Sequence, residues 1–487
     1  MNIIILSSLV VVVAIITLFI KQEKTVRTLS SIFATIISIS VIVMVSPQLL
    51  GQTAMIQGWW MIDGFSALMA TLIAVLYLTT IWVSYRYIGH EHHEGLVSDL
   101  DVRVYFTLLH LFVLSMLLVV LTNHTLVLWL ALESTTLTST FLVGLYRKKT
   151  SIEAAWKYII ICSTGITLAL IGILLLGFGA HGGETGQASF LLSDLLKYAL
   201  FIPEKVVKWA FIFIFVGFGV KAGFAPTHSW LPDAHGNAPS PISALFSGIL
   251  LNVAMYAIIR FQTIANHALG GHQWTGMFFL VFGALSILLP AFLLLIQTNY
   301  KRMLAYSSIE HMGLITLGLA VPPIGTMAAV MHITGHALVK SSLFFGSGEI
   351  LSHYQTTHIE KIKNLLKIAP YTAILFTLGI LGIIAMPPSA LFISEYTLIV
   401  ALIKTHVILT IFMLASLGAI AYAMLKTTLG MVISDPKELL PEVKEKEKWN
   451  LTHTIMTVQL SAVVVLAIWF STPQGQQYFL AIANKLF

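Results

Sequence analysis

The sequence predicts an all-α polytopic membrane protein with about 14 transmembrane helices, two inverted five-helix repeats, and broken helices at spans 7 and 12. Three observations predict it. Of 487 residues, 57 % are hydrophobic and 10 % charged, against about 25 % charged in a soluble domain, and mean hydropathy is +0.90. The apolar residues gather into runs near the ~20 residues that span a hydrocarbon core. Two of those runs, five spans apart, are interrupted by proline beside an ionisable residue.

The first run, Asn2 to Ile20, is longer than a signal-peptide core and lacks a basic leader. Lys21, Lys24 and Arg27 follow it, so it reads as a retained helix. Further runs fall near 28–46, 65–83, 104–121, 124–145, 157–178, 206–230, 240–261, 275–296, 303–320, 326–349, 371–398, 406–427 and 452–470. The segment 188–202 is shorter and contains Asp194 and Lys197, which makes it an extramembrane loop with room for a surface helix. With the N-terminus outside, eighteen of the 27 lysines and arginines fall in odd-numbered loops and their helix ends. Six, Lys197, Lys205, Lys208, Arg260, Lys404 and Lys485, fall on the opposite side, and Lys157, Lys221 and Lys340 lie within helices. Positive residues collect on the cytoplasmic side, so both termini are expected outside a bacterial or archaeal cytoplasmic (inner) membrane. Four regions follow: a three-helix segment over 1–100, a first five-helix repeat over 101–262, a second, inverted repeat over 272–428, and a cytoplasmic charged loop with the last helix over 429–487.

The single cysteine, Cys162, excludes iron–sulfur clusters, structural zinc and disulfide frameworks built by this chain alone, since each needs several thiolates. The sequence has no phosphate-binding loop and no redox ligand set. No cofactor is therefore expected in this chain, and redox chemistry would belong to another subunit. The formal charge of +6 and pI near 9.1 come from short loops, not from a basic stripe. That argues against nucleic acid and leaves membrane lipid as the surrounding partner.

A charge at the bilayer centre costs about 2.5–3.5 kcal/mol even on a lenient scale, and such residues mark ion paths or proton relays. Four stand out: Glu133 in LVLWLALESTTL, Lys221 in FVGFGVKAGFAP, Lys340 in ITGHALVKSSLF and Glu395 in SALFISEYTLIV. Lys157 follows Glu153 by four residues at the start of the sixth span, where a local ion pair is the simpler reading. Pro226 and Pro232 follow Lys221, and Pro387 and Pro388 precede Glu395. Proline frees backbone carbonyls, and irregular backbone at membrane depth is tolerated only inside protein or against water. An odd number of crossings separates the two breaks, so a unit repeated at that offset is inverted, the pattern that marks ion sites in transporters. His332, His336 and Lys340 share one helical face, with His311 in the preceding span, and histidine shuttles protons near neutral pH. The HxxxH spacing also suits a metal, but no carboxylate or cysteine is evident to complete a set. The loop GHEHHEG, from His90, reads as a solvated turn, and no metal site is expected.

These motifs resemble the antiporter-like membrane subunits shared by respiratory complex I, Mrp-type cation/proton antiporters and membrane-bound group 4 [NiFe] hydrogenases. The resemblance runs from about Asp63 to Lys426. It is carried by WLALE, EAAWKY, KAGFAPTHSWLPDAHGNAPSPISALFSG, YSSIEHMG, HITGHALVKSSLFF and PPSALFISE, and is nearest to component F of hydrogenase 4. It implies that Glu133 pairs with Lys221 and that Lys157 sits between them. It also implies that His311, His332, His336 and Lys340 form a central polar axis ending at Glu395. Partners would then be other membrane and peripheral redox subunits, and the ion would be a proton or sodium.

One position departs from the complex I pattern. Where close relatives there carry a lysine in the eighth span, this chain has Asn252, an amide that hydrogen-bonds but takes up no proton at physiological pH. The departure agrees with a hydrogenase-type subunit. The competing readings are a subunit of complex I, of an Mrp-type antiporter or of an inorganic-carbon uptake system, and a non-pumping structural anchor.

Overall fold

The computed structural model of the chain describes residues 3–180, 188–433 and 447–486, so the expected loop charges Lys437, Lys444 and Lys446 lie outside the described residues. In chain order the elements begin with α1 (Ile3–Phe19), α2 (Glu23–Leu49), β1 (Met55–Gln57), β2 (Trp60–Ile62), α3 (Gly64–His93), α4 (Asp99–Leu121) and α5 (Thr125–Val143). They continue through α6 (Lys149–Gly179), α7 (Leu192–Lys197), α8 (Glu204–Ala222), α9 (Trp230–Asn237), α10 (Ser240–Leu245), α11 (Leu251–Leu269) and α12 (Gln273–Leu293). The rest are α13 (Tyr300–Ala320), α14 (Ile324–Tyr354), α15 (Leu365–Ile368), α16 (Pro370–Ile383), α17 (Ala390–Ile403), α18 (Val407–Val432), α19 (Leu451–Ser471) and α20 (Pro473–Asn484). Every predicted run is helical. Among the described residues, ten helical stretches are long and apolar enough to cross a membrane. The four remaining predicted spans fall on helices outside that measure. α1 and the halves α16 and α17 are short, while α13 and α14 are diluted by polar side chains that point inward.

The described chain divides into two compact units. One comprises Met1–Gly223, Ile249–Phe278 and Asn484–Phe487, and the other comprises Phe224–Gly248 and Phe279–Ala483. In the first, α6 and α8 meet at backbone distance because glycine stands at the crossing: a Cβ on Gly217 would lie 2.5 Å from the Gly165 carbonyl oxygen, and one on Gly165 2.7 Å from Val220 Cβ. Small residues at such crossings are how membrane helices pack in the absence of a strong hydrophobic drive. In the second, Ile287, Leu314, Leu317, Leu398, Leu402 and Met413 form an apolar cluster.

Both breaks are present. α8 ends at Gly223, whose φ of +78° is a left-handed cap that glycine adopts without strain. The chain re-enters helix only at Thr227, after Pro226. Pro232, expected as part of that break, instead lies in the first turn of α9, where a missing N–H has no helical partner to lose. Between α16 and α17, residues 384–389 are non-helical and hold Pro387 and Pro388. Ser389 then starts α17 by accepting from Leu391 N. A third irregularity was not expected: Phe246–Leu250 is a π turn between α10 and α11, a feature found often at functional sites.

Two further expectations are corrected, and one element was not foreseen. The predicted turn from His90 is the last turn of α3 through His93. There Glu91 is 7 % exposed and accepts from Tyr146 Oη at 2.6 Å. Arg260, counted as an outer loop charge, is buried on α11, which runs on to Leu269. It makes a bidentate pair with Asp63, both contacts at 2.7 Å, and donates to Ser66 Oγ at 2.9 Å. The polar residues Gln262, Thr263 and Asn266 hid this extension, yet all three are buried, with Asn266 Oδ1 accepting from Thr275 Oγ1 at 2.5 Å. Finally, a two-stranded hairpin, β1 with β2, joins α2 to α3, too short for alternation to reveal. The segment 188–202 does contain the expected short helix, α7, tied down by Thr125 N to Phe190 O at 2.8 Å and Leu192 N to Asn123 O at 2.7 Å.

Candidate ion-relay site

In the first unit the polar site is built on the last turn of α8. Lys221 lies two residues before the left-handed Gly223 and has no exposed surface. The glycine crossing brings α6 close enough for its tyrosine to reach the lysine. Lys221 Nζ donates to Tyr158 Oη at 2.7 Å and to Thr136 Oγ1, from α5, at 2.9 Å. The ammonium also lies 4.9 Å from the Tyr158 ring centroid, a cation–π distance. Tyr158 Oη is in turn 2.8 Å from Ser139 Oγ. The ammonium is thus held by neutral hydroxyls.

Glu133 makes no direct ion pair with Lys221. Its Oε1 accepts from Ser163 Oγ at 2.6 Å, and its buried Oε2 has no partner among the described residues. Both groups stand on helices packed against α6, and the Glu–Lys pair that the resemblance implies is not a direct contact here: each group is held separately. Lys157 is half-buried on α6, and its neighbour Tyr158 is the α6 residue that contacts Lys221. Asn252 is fully buried on α11 in this unit, two residues beyond the π turn. Spacing along one helix cannot say which side chain of a neighbour reaches across, so Thr136 and Tyr158 gave no signal beyond being polar residues in apolar runs.

In the second unit, α13, α14 and α17 converge. His311 Nδ1 is 2.9 Å from His332 Nε2, and His332 Nδ1 is 3.0 Å from Ser394 Oγ. His336 completes the group, its ring centroid 5.0 Å from that of His311 and 6.3 Å from that of His332. Both His336 nitrogens are buried without a partner among the described residues. Lys340, one turn on, has no exposed surface and donates to the Leu304 carbonyl at 2.8 Å. Gly335 permits this convergence: a Cβ there would already lie 3.3 Å from Ala390 Cβ on α17.

Glu395 is 8 % exposed, one and a half turns into α17. One ligand atom each from His311, His332 and Glu395 lie within 4.8 Å of one another. The carboxylate that the sequence did not reveal for the histidines is therefore supplied by tertiary structure, and the direct partner of His332 is His311, not its i+4 neighbour His336. The site also contains Glu310, which sequence reasoning passed over because its neighbour His311 drew the attention in YSSIEHMG. Glu310 is 2 % exposed, and its Oε2 lies 3.3 Å from His311 Nε2. Glu310 and Glu395 line one small cavity of about 20 Å³, together with Ile383 and Ile384 at the helix break and Leu417 and Met424 from α18. That is room for about one water. A second unforeseen buried histidine, His235 on α9, stacks on Phe344 at 4.8 Å.

These are two groups of buried ionisable side chains, each beside a broken helix. Comparison with known proteins places the arrangement. Residues 122–421 match the family described as NADH:quinone oxidoreductase/Mrp antiporter, TM. A hydrogenase-4 component F homolog from Methylacidiphilum infernorum is 34 % identical over 383 residues, covering 76 % of this chain and 79 % of that protein. Hydrogenase-4 component B of Escherichia coli is 32 % identical over 76 % of this chain and 55 % of its own length. An NAD(P)H-quinone oxidoreductase chain 4 from a Nostoc species is 31 % identical over 63 % of this chain and 58 % of its own. Among solved structures, the fold is shared with a chain of an archaeal membrane-bound sulfane sulfur reductase, with a TM-score of 0.82 at 22 % identity over 99 % of this chain and 97 % of that one. A chain of the Mrp complex from a Dietzia species gives 0.82 at 18 % identity, over the same shares of the two chains. The chain belongs to the NADH:quinone oxidoreductase/Mrp antiporter transmembrane family, as an integral-membrane, antiporter-like subunit of the kind found in hydrogenase-4, complex I and Mrp-type assemblies.

Proposed function

We propose that this chain moves protons across the cytoplasmic (inner) membrane as the antiporter-like subunit of a group 4 [NiFe] hydrogenase-type complex, driven by redox chemistry in partner subunits. The observation that carries the reading is Lys221, fully buried at a helix break and held by the hydroxyls of Thr136 and Tyr158. A buried ammonium locked in a direct ion pair cannot lose its proton without stranding the carboxylate. One held by neutral hydroxyls can. Glu133, on its own tether to Ser163, is placed to change the field at Lys221 if it moves.

The same logic extends to Lys157, to Asn252 as a hydrogen-bonding link, and to His311, His332, His336, Lys340 and Glu395 as the second group. Moving one charge against 100 mV takes about 2.3 kcal/mol, and that energy must come from partners. The hydrogenase assignment is supported by the identity with the component F homolog over three quarters of this chain. Orientation with both termini outside rests on the distribution of lysine and arginine.

In the assembled complex reconstituted in vesicles, Lys221→Ala is expected to reduce redox-driven proton uptake by about 100-fold or more, and Glu133→Gln to reduce it less. Unchanged uptake in both variants would leave the chain a structural anchor. Identification of co-purifying subunits by mass spectrometry tests the parent complex. Hydrogenase large and small subunits are the expected result, and an NADH-oxidising module or only other antiporter chains would reassign it.

A further inference from the structure

Ser394 Oγ lies 2.9 Å from the Leu391 carbonyl and donates to it. A hydroxyl has one hydrogen, so Ser394 accepts from His332 Nδ1 at 3.0 Å. His332 Nε2 then carries a lone pair, to which His311 Nδ1 donates at 2.9 Å. A neutral His311 with its hydrogen on Nδ1 turns a lone pair outward on Nε2. That nitrogen is buried and makes no hydrogen bond among the described residues, although Glu310 Oε2 lies 3.3 Å away. An N–H donating to a carboxylate draws the pair to about 2.7–2.9 Å. A lone pair set against a carboxylate oxygen without a hydrogen is unfavourable, unless a positive centre is bound to both.

A zinc-class cation binds imidazole nitrogen at about 2.0–2.1 Å and carboxylate oxygen at about 2.0–2.2 Å, and the tetrahedral angle then sets the two ligand atoms about 3.3–3.5 Å apart. The separation of His311 Nε2 and Glu310 Oε2 is that spacing. A Glu395 carboxylate oxygen lies within 4.8 Å of a nitrogen of His311, and Glu310 and Glu395 line one cavity of about 20 Å³. The Ile383 carbonyl, left without an i+4 donor because residue 387 is proline, lies beside the His311 ring. The bond from His311 Nδ1 to His332 is the contact that fixes the tautomer and orientation of a metal-binding histidine. Two carboxylates balance a divalent charge, and a buried charge is stable when it is paired or binds metal.

We propose that His311 Nε2, Glu310 and Glu395 form a site for one divalent cation of the zinc class, with His332 and Ser394 as positioning residues behind His311. His336 and Lys340, on the α14 face next to His332, are the other ionisable groups around it. Glu395 is the ligand with the most exposed surface, 8 % against 1 % for His311 and 2 % for Glu310, so an exchanging ion reaches the site past Glu395. Metal ligands must be deprotonated, so the ion and any relay protons exclude one another at these atoms. The site goes beyond the translocation reading and does not depend on it.

The test is calorimetric titration of the purified full chain, first stripped with a chelator, with Zn²⁺ alone. One zinc ion per chain is expected. His332→Ala should weaken binding by about 10–100-fold, the usual loss when a supporting partner of a ligand is removed, and His311→Ala, Glu310→Gln and Glu395→Gln should each weaken it more. His332→Gln offers His311 Nδ1 an amide oxygen and should recover affinity over His332→Ala, which a packing role for His332 would not produce. X-ray absorption at the zinc edge of the loaded wild type needs no variant to fold. It should show one imidazole nitrogen, with oxygens at about 2.0–2.2 Å. More than one imidazole, or affinity unchanged in both Glu310→Gln and Glu395→Gln, overturns the site. Binding that is lost in His92→Ala at the end of α3 also overturns it, as an adventitious ion only. Zinc binding by the isolated chain is independent of proton uptake, so unchanged uptake in Lys221→Ala would sink the translocation reading and leave this site standing.

Discussion

Tyr158 is the residue on which the first group turns. It stands next to Lys157, which stands out as a charge, and with Thr136 it holds the Lys221 ammonium. A hydrogen bond to a charged group contributes about 1.5–3 kcal/mol, so Tyr158→Phe should lower proton uptake by roughly tenfold to 100-fold while leaving the melting temperature of the purified chain near that of the wild type, since the ring still fills the space. A large fall in melting temperature together with uptake would make Tyr158 a packing residue. At this scale the sequence disclosed charges better than their partners. Glu133, Lys221, Lys340 and Glu395 were visible because an apolar run makes any charge conspicuous. Thr136, Ser163 and Ser394 were not, because hydroxyls are common in membrane helices and only cross-helix register makes them ligands. Arg260 was misread for a related reason: charge counting along the chain assumes that a lysine or arginine near a helix end faces water, whereas Asp63, 197 residues away, holds this one inside.

Broken helices were legible as elements because proline and glycine act on the backbone locally, whatever surrounds them. What ties such an element down is not local. α16, the first half of the second broken span, begins with backbone donors that its own sequence leaves uncapped. Glu447 supplies the cap from 75 residues on, accepting from Tyr371 N at 2.7 Å and from Thr372 Oγ1 at 2.5 Å, with His453 Nε2 3.1 Å away. Burial pushes the Glu447 carboxyl up, but the His353 and His453 imidazoles beside it and the hydrogen bond from Thr372 outweigh it and hold the group well below its ordinary 4.5. A carboxylate lowered on folding stabilises the fold above its unfolded pKa, and the contribution is lost as pH falls through the folded value. On acidification below about 4.5, the melting temperature of the wild type should therefore fall, in part through Glu447. Glu447→Gln should start lower at neutral pH and lose less over the same range. Parallel curves for the two proteins would remove Glu447 from the acid response. The effect belongs to α16, so hydrogen exchange there should quicken before it does in α3 or α4.

For the whole molecule, hydropathy located the long apolar helices but not α20 (Pro473–Asn484), whose polar residues keep it from reading as a span, and the division of the described chain at Gly223 was not visible because the break lies inside a span and carries no change of composition. Topology is the property of the whole that sequence predicts most directly and that fold alone does not decide, since a helix bundle can be inserted either way up. The single, fully buried Cys162 makes the question accessible. A Cys162→Ser chain keeps a small side chain in that place and removes the only thiol, so one cysteine can be added at a time. The positive-inside distribution puts the α5–α6 connection, with Arg147 and Lys148, on the cytoplasmic side. An odd number of crossings on, it puts the α11–α12 connection, Gly270 to His272, on the other. A membrane-impermeant maleimide applied to spheroplasts should label His272→Cys directly and Lys148→Cys only after permeabilisation. Labelling of both from one side would mean that one, or all three, of the spans between them does not cross; if the one ending at Leu269 fails, the inversion that relates the two broken helices goes with it. The reverse pattern would preserve the inversion and turn the molecule over, exchanging the side from which protons enter with the side to which they leave.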